Sequence, residues 1–581
     1  MKEDPKRIKK LKEEWQRDVV APKLGRYNLQ KDPTRFYTSV DLEGFNFEEK
    51  IGFPGQFPFT AGNDPVPRWQ AFAAEEARKS NRFEYGTSHA SRYGGFGTPE
   101  DYRGYLLRMH EAGRMGGPNM AFDLPTQIGL DSDDPRAEGE VGHVGVAIDS
   151  LRDFELIYEP YRGDIDLDKI SSNFTINAPA IIIIAMYASL AEKRGISLKK
   201  LRGTPQNDIL KEFLARGTQI FPPRPSMRLF RDSLVFMTRN MPLMNITSMG
   251  SYHFREAGAT REQALAFSMA IGASYLQAGT DAGLHVDEFA PQFTFNGFSG
   301  SMEFYWEIAF QRAARRMWAT IVKKHFGAKD PKSMMVRQMT TASIGAISMT
   351  LQRPLNNLTR AVVGGMAGGM SGGIPFPHPP YDEPLGLGHS LEAQQLVHDA
   401  GRILIYESKL GEVLDPWAGS YFMESITNEI EEAAWAEFEK VKGMGGAVTA
   451  IETGYMQKEV ARSAYEKQKC LENGEDFIVG VNCFTGPHEL EVKTERQVPG
   501  VYDQELKETA GERRCEDLKQ LKGERDSDEV ARTLKALENV AKQEDENVMP
   551  CVIECVKSYA TIQEICDVFR GVFGEAESVK I

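Results

Sequence analysis

Between residues 80 and 400, short apolar or Ser/Thr-rich runs alternate with helical stretches. The runs are PNMAFDLP (118–125), SSNFTINA (171–178), LRGTPQND (201–208), NITSMGSYHF (245–254), ASYLQAG (273–279), FAPQFTFNG (289–297), MMVRQMTTAS (334–343) and AVVGGMAGG (361–369). Segments of helical period lie between several of them, such as APAIIIIAMYASLAEKRG and REQALAFSMAIGASYLQAG. Strand–helix alternation repeated about eight times predicts an α/β fold, a (β/α)8 TIM barrel. A closed barrel is normally filled by Val, Ile and Leu. These runs carry Ser, Thr, Asn, Gly and Gln instead. They fit half-exposed strands, or a barrel with small polar residues inside and a channel down its axis.

The flanks differ. Residues 1–80 read as an arm: Lys6 to Arg17 is charged, with Ile8, Leu11 and Trp15 at helical spacing, and the turn-rich GFPGQFPFTAGNDPVP follows. Such a segment buries little alone and is expected to wrap a neighbour. The barrel is expected over 81–425. Residues 426–581 read as a helical carboxyl-terminal region, with a charge-dense surface linker from about 488 to 527.

The 581 residues, 41% hydrophobic and 26% charged, exclude a disordered or collagen-like chain. The longest apolar run, around Ile181 to Met186, is far below the ~18 residues of a membrane span. The charged start MKEDPKRIKKLKEEW has no apolar core of a secretory signal. A net charge of −14 argues against nucleic acid as a partner, though not against an anionic small molecule in a local Lys/Arg pocket. The six Cys all follow residue 469 and fit reduced structural thiols of a cytoplasmic protein.

No phosphate-binding GxxxxGK[ST] loop, GxSxG elbow or HExxH helix is present, and none of the ten His falls in a metal-binding pattern. The glycine cluster GGMAGGMSGG (364–373) reads as a close-approach turn at a barrel end or a backbone lying against a flat ligand. Three constellations could carry chemistry. Arg228, after the Pro-rich FPPRPSMR, could clamp a carboxylate or could simply lie on the surface. His253, in GSYHFREAGAT, falls at a strand end, where a barrel keeps its catalytic groups, or is a hydrogen-bonded core His. Tyr93, before the glycines of SRYGGFGT, could lie against a ligand or be structural.

Further blocks join these: AFDLPTQIGLDSDDPR (121–136), VGVAIDSL (144–151), TPQNDILKEF (204–213), HVDEFAP (285–291), KDPKSM (329–334), YDE (381–383) and DPWAGSYFMESIT (415–427). Taken together the chain resembles the large, catalytic chain of the methylmalonyl-CoA mutase family over about residues 93–475, with a weaker tail near CVKSYATIQEICDVFRGVF. That resemblance implies an adenosylcobalamin-dependent radical rearrangement of the carbon skeleton of an acyl-CoA thioester. It implies roles position by position. Tyr93 would press on the substrate, Arg228 would hold its free carboxylate, and His253 would hydrogen-bond the thioester carbonyl. Lys332 would lie near the CoA phosphates. Phe122, Leu124 and Val144 would face the corrin, with Glu256 and Glu383 near the adenosyl and corrin groups. The cobalt-anchoring D-x-H-x-x-G is absent, since His110 and His398 lack the Asp two residues before them. A small B12-binding partner subunit carrying that motif is therefore expected, in a hetero-oligomer. No metal ligated by this chain is expected.

The departures bear on the substrate. The family's CoA-contacting stretch before Tyr93 is rebuilt over 60–92. Gln292 stands for an arginine, Met339 and Thr341 for a His and a Gln, Ile374 for a glutamine, and Gln127-Ile128 for a His-Arg. Apolar Met339 and Ile374, with Phe376 nearby, imply a larger or more apolar group. The expected substrate is a dicarboxylic acyl-CoA bulkier than methylmalonyl-CoA, such as an alkyl- or aryl-succinyl-CoA becoming a substituted malonyl-CoA. The alternatives are methylmalonyl-CoA itself, or a non-catalytic structural homologue within a hetero-oligomer.

Overall fold

The computed structural model describes residues 5–26, 36–66, 93–94, 97–111, 116–297, 301–337, 348–373, 375, 377, 379–385, 391–486 and 504–577. Six short strands carry the central layer: β1 (Tyr93–Gly94), β2 (Asn119–Ala121), β3 (Ser171–Thr175), β4 (Arg202–Pro205), β5 (Thr247–Met249) and β6 (Phe293–Phe295). The first four form one parallel sheet in sequence order, and β5 pairs parallel with β6. The two sheets touch. Gly203 and Met244 form a parallel bridge, and Ser248 N donates to Gln206 O at 2.8 Å. Beyond β6, Phe295 N donates to Arg337 O at 3.0 Å.

A helix follows each strand: Pro99–Glu111, Leu151–Ile157, Ala180–Lys193, Pro223–Asn240, Arg261–Asp281 and Phe304–Thr320. Parallel strands in sequence order with a helix in each connection are the repeated unit of an α/β wall. The start of Arg261–Asp281 shows how the sequence sets the boundaries. Thr260 accepts from Gln263 N while Gln263 returns the bond to Thr260 N, a capping box.

The polar strands are buried rather than half-exposed at β5 and β6. Their hydroxyls find partners on neighbouring strands: Thr294 Oγ1 donates to Thr247 O at 2.9 Å, and Thr247 Oγ1 donates to Gln206 O at 3.1 Å. A buried polar group with its hydrogen bond made avoids most of its desolvation cost. In β3, Ser172 and Phe174 turn into the core while Ser171, Asn173 and Thr175 stay half-buried on the other face.

Three expectations are corrected. AVVGGMAGG is not a strand but part of the helix Asn356–Met370. Its glycines serve close packing: a Cβ on Gly365 would stand 2.8 Å from Pro377 N, and one on Gly369 2.5 Å from Leu410 Cδ2. ASYLQAG lies within Arg261–Asp281, where a Cβ on Gly279 would meet the Phe289 ring at 2.5 Å. The linker expected to reach 527 is helical over Gln504–Glu524, because Arg514 is buried there between Asp149 and Asp153. The rest of that segment, 487–503, lies outside the described residues.

Both flanks share the central core. Phe569 and Phe573 lie edge-on to Phe221, with ring centroids 5.9 and 6.2 Å away. At the amino-terminal side, the buried Arg315 donates to Phe59 O at 2.9 Å and Thr60 O at 2.7 Å. The turn-rich segment of the arm thus wraps this chain's own helix Phe304–Thr320.

Gly203, at φ 154, leaves no room for a side chain: a Cβ would stand 1.9 Å from Ser172 O, across the β3–β4 ladder. Gly203→Ala should separate the two strands, costing about 3 kcal/mol. Thermal unfolding reads this, and an unchanged melting temperature would contradict the close approach.

Candidate functional site

The loops after β3, β4 and β5 meet at the carboxyl-terminal rim of the strands. After β4 the chain passes through Gln206, Asn207 and Asp208 into a short turn, Ile209–Lys211, and a wider one, Glu212–Arg216, which Gly217 ends at φ 74. Asn177, after β3, donates to Gln206 Oε1 at 2.8 Å and to Glu212 Oε1 at 2.7 Å. Lys211 Nζ reaches the same Glu212 oxygen at 2.5 Å, and Thr218 Oγ1 donates to the other at 2.5 Å. Lys211 and Glu212 are buried as a pair. Asp208 accepts from Tyr275 OH at 2.8 Å and from Gly250 N at 3.2 Å, and burial pushes its carboxyl up to about 6.

His253 stands over this network on the turn Tyr252–Glu256 that follows β5. It is 4% exposed, and neither ring nitrogen has a partner. Burial, then the charges of Lys211 and Arg216, hold its pKa well below the usual histidine value. Its ring is therefore neutral, with one nitrogen a donor and the other an acceptor. With no protein partner, both ring nitrogens keep their hydrogen-bonding capacity for a water or a ligand group. Arg216, whose charge reaches His253, is exposed, and its Nη2 donates to Gln127 Oε1 at 3.3 Å. Gln127 is in turn held by Phe122 O at 2.6 Å.

The expected residues fall in several places. Tyr93 lies in β1 opposite Asn119, and its side chain lies outside the description. Arg228 is not brought to His253. It sits on Pro223–Asn240 and donates to the carbonyls of Ala541 (2.6 Å), Val540 (3.2 Å), Glu546 (3.1 Å) and Gln543, with the Phe573 ring 5.6 Å below. Its donors cap the helix Ser527–Ala541, which leaves no free fork for a carboxylate. Gln292 and Lys332 lie at the opposite, amino-terminal rim. Gln292 precedes β6, donates to Pro242 O at 3.1 Å and keeps a buried, unpartnered Oε1. Lys332 is exposed on Pro331–Met334, a turn tied by Ser333 to Asp287 at 2.7 Å. Met339, Thr341, Ile374 and Phe376 lie outside the described residues.

Among the corrin-facing candidates, Phe122 is fully buried and bridges Val146, Leu124 is half-buried, and Val144 is 65% exposed. Glu256 and Glu383 are exposed. An exposed Val beside a half-buried Leu at a strand rim suits a broad apolar surface. His110 packs edge-on to Tyr161 at 4.8 Å, and His398 Nδ1 lies 2.5 Å from Gln394 O within its own helix. Among the described residues no group of three or more His, Cys, Asp or Glu could hold a metal ion, and no helix is long and apolar enough to cross a membrane.

Lys211, Glu212, Arg216, Asn177 and Asp208 escaped the sequence reading. For Asp208, Lys211 and Glu212 the signal was the TPQNDILKEF block, which puts a Lys-Glu pair in an otherwise apolar turn; Asn177 and Arg216 lie outside it.

A neutral buried His and an exposed Arg at the carboxyl-terminal rim of a parallel α/β wall are groups chemically suited to a carbonyl oxygen and to an anion. The profile of the methylmalonyl-CoA mutase family matches residues 28–575, and the chain belongs to that family. Membership places it among the coenzyme B12-dependent acyl-CoA mutases. It is 37% identical over 533 residues to a probable methylmalonyl-CoA mutase, mitochondrial, of Caenorhabditis elegans, covering 92% of this chain and 67% of that one. It is 36% identical over 547 residues to the 2-hydroxyisobutanoyl-CoA mutase large subunit of Aquincola tertiaricarbonis, covering 93% and 90%. The Homo sapiens methylmalonyl-CoA mutase, mitochondrial, is 35% identical over 522 residues, covering 90% of this chain and 65% of that one.

His253 makes stability depend on pH in a known direction. The unfolded chain binds a proton near 6.5 and the folded chain does not. The unfolded state therefore gains protons as pH falls, and stability present above 6.5 is lost below it. Between pH 6.5 and 5 this amounts to as much as about 2 kcal/mol. Denaturant unfolding of His253→Asn should show that much less loss over the same window. An identical acid-side slope would mean that His253 titrates normally.

Proposed function

We propose that this chain is the large subunit of an adenosylcobalamin-dependent acyl-CoA mutase acting on a dicarboxylic acyl-CoA bulkier than methylmalonyl-CoA. The observation that carries the reading is His253, buried with both nitrogens unpaired, beside the exposed Arg216. In this reading the wall continues past Arg337 and closes as an eight-stranded barrel, with the thioester threaded from one rim to the other. Gln292 and Lys332 meet the CoA end, and Arg216 and His253 meet the acyl end.

Arg216, rather than Arg228, holds the free carboxylate through its guanidinium fork. Neutral His253 donates one N–H to the thioester carbonyl, stabilising charge on that oxygen as the group migrates. Tyr93, on the neighbouring edge of the wall, presses on the acyl group. The buried Lys211–Glu212 pair keeps a positive charge near His253, which disfavours a charged imidazolium. Val144 and Leu124 would hold the corrin face, Phe122 supports them from beneath, and Glu256 and Glu383 lie toward the adenosyl side. Adenosylcobalamin supplies the radical that begins the rearrangement. The cobalt's lower ligand would come from a B12-binding subunit with a D-x-H-x-x-G motif. The cysteines, none of them disulfide-bonded among the described residues, fit a cytoplasmic setting.

The substrate class rests on apolar Met339 and Ile374 together with a carboxylate-binding Arg. The methylmalonyl-CoA mutase relatives favour methylmalonyl-CoA as the second reading. A turnover assay separates them. The chain, its B12-binding subunit and adenosylcobalamin are offered methylmalonyl-CoA, isobutyryl-CoA and phenyl- or alkylsuccinyl-CoA, with products read by mass spectrometry. The expected result is rearrangement of a substituted succinyl-CoA, with KM raised about 100-fold in Arg216→Ala, the cost of one charge-assisted bidentate contact. Arg228→Ala should instead lower stability by about 2 kcal/mol. Turnover of methylmalonyl-CoA alone would restore the second reading. No turnover with the partner bound would leave the structural homologue.

A further inference from the structure

The segment 124–149 carries Leu124, Gln127 and Val144, and the carboxyl-terminal helices hold it at 128–134 and at Asp149. Arg570, on Ile562–Phe573, donates to Ile128 O at 2.7 Å and to Gly129 O at 3.1 Å. Those carbonyls end the turn Leu124–Gln127, so Arg570 acts as its carboxyl-terminal cap. Gly129, at φ 67, lies so close to the same helix that a Cβ would stand 2.5 Å from Cys566 Sγ. Gln563 accepts from Asp131 N at 2.7 Å, donates from its own amide to Asp131 Oδ1 at 3.0 Å, and donates from Nε2 to Asp134 Oδ2 at 2.7 Å. Ile562 N donates to Asp149 O at 2.8 Å.

From Gln504–Glu524 come Lys522, 2.8 Å from Asp133, and buried Arg514, paired with Asp149 and, at 3.0 Å, with Asp153. Asp149 also fixes the loop from within, accepting from Ser132 N at 2.7 Å. At the far end of the loop, Asp123 Oδ2 accepts from Gly142 N at 2.8 Å. The stretch 128–134 and Asp149 are thus tied to side chains and backbone from residues 514–570, while Leu124 and Val144 are left uncovered by these contacts.

We infer that the carboxyl-terminal helices are a clamp that positions the cofactor-facing loop, with Arg570 as a positioning residue for Gln127 and, through it, for Arg216. The contacts run in a line. Arg570 holds Ile128 and Gly129, Gln127 lies one residue before them, and Gln127 Oε1 receives Arg216. The clamp rests on the proposed function only in what the loop faces.

The test is hydrogen–deuterium exchange on the full chain with Arg570→Met, which leaves its ion-pair partners Asp567 and Glu575 at the exposed surface rather than buried. Loss of a charge-assisted bond to two carbonyls should speed exchange about tenfold across 128–146 and leave the strands unchanged. Arg570→Lys, still a cation able to reach one carbonyl, should recover part of that protection. In the assembled enzyme the adenosylcobalamin concentration for half-maximal turnover should rise about tenfold in Arg570→Met, with melting temperature nearly constant. Unchanged exchange in the loop, or faster exchange spread evenly over the wall, would overturn the clamp. If the parent enzyme turns over no acyl-CoA, the proposed function fails, while loop exchange still decides the clamp.

Discussion

A histidine ring buried with neither nitrogen paired is expensive, and the rim of this wall is organised around that cost. Leaving a buried polar group unsatisfied forfeits about 1–3 kcal/mol. The surrounding side chains could have supplied a partner and do not. Asn177, Gln206, Lys211, Glu212, Thr218, Asp208 and Tyr275 satisfy one another instead. Burial and the charges of Lys211 and Arg216 oppose protonation, so the ring does not escape its cost by charging. In the proposed function, a ligand that brings its own carbonyl oxygen would recover that cost on binding.

The same economy governs the rest of the interior. Arg312 is fully buried in Phe304–Thr320 and is neutralised by Asp415 and Glu424. Both acids come from the DPWAGSYFMESIT block, one of those by which the sequence resembles its family. That block is thus a structural ion cluster, whose removal by halves would strand a buried charge. Some blocks by which the sequence resembles its family, such as DPWAGSYFMESIT, hold the helix layer against the wall, while others, such as GSYHFREAGAT and TPQNDILKEF, lie at the strand rim.

Five of the six described strands were legible because each run is bounded by turn residues and followed by a helical period; Tyr93–Gly94 was not among the runs. His253 was legible because it sits where a strand gives way to a helix. Arg228 misled because FPPRPSMR offers an Arg after a Pro-rich turn, the local form of a clamp. Nothing local reveals that its fork is used by carbonyls more than 300 residues later. Arg216 was hidden by the opposite circumstance: it ends a short wide turn before Gly217, with no motif around it. The glycine-rich helix was misread because Gly and Ala at three- and four-residue spacing satisfy a turn signal and a tight helix–loop contact equally. Only the Pro375 and Pro377 backbone beside it decides between them.

Gln292 and Gln127 lie at opposite rims, and each shows how the fold accommodates a departure from the family. Gln292, at the amino-terminal rim, replaces an arginine and keeps its amide donor on Pro242 O, so the loss of charge leaves the strand undisturbed. Its unpartnered Oε1 remains an acceptor where the family offers a cation. Gln127, at the other rim, replaces a histidine and spends both ends of its amide on Phe122 O and Arg216. A neutral amide there accepts from the guanidinium without adding charge to an already cationic neighbourhood. The two substitutions therefore act in opposite senses. The amino-terminal rim loses a charge, while at the carboxyl-terminal rim the amide gains a bond that orients the Arg216 guanidinium.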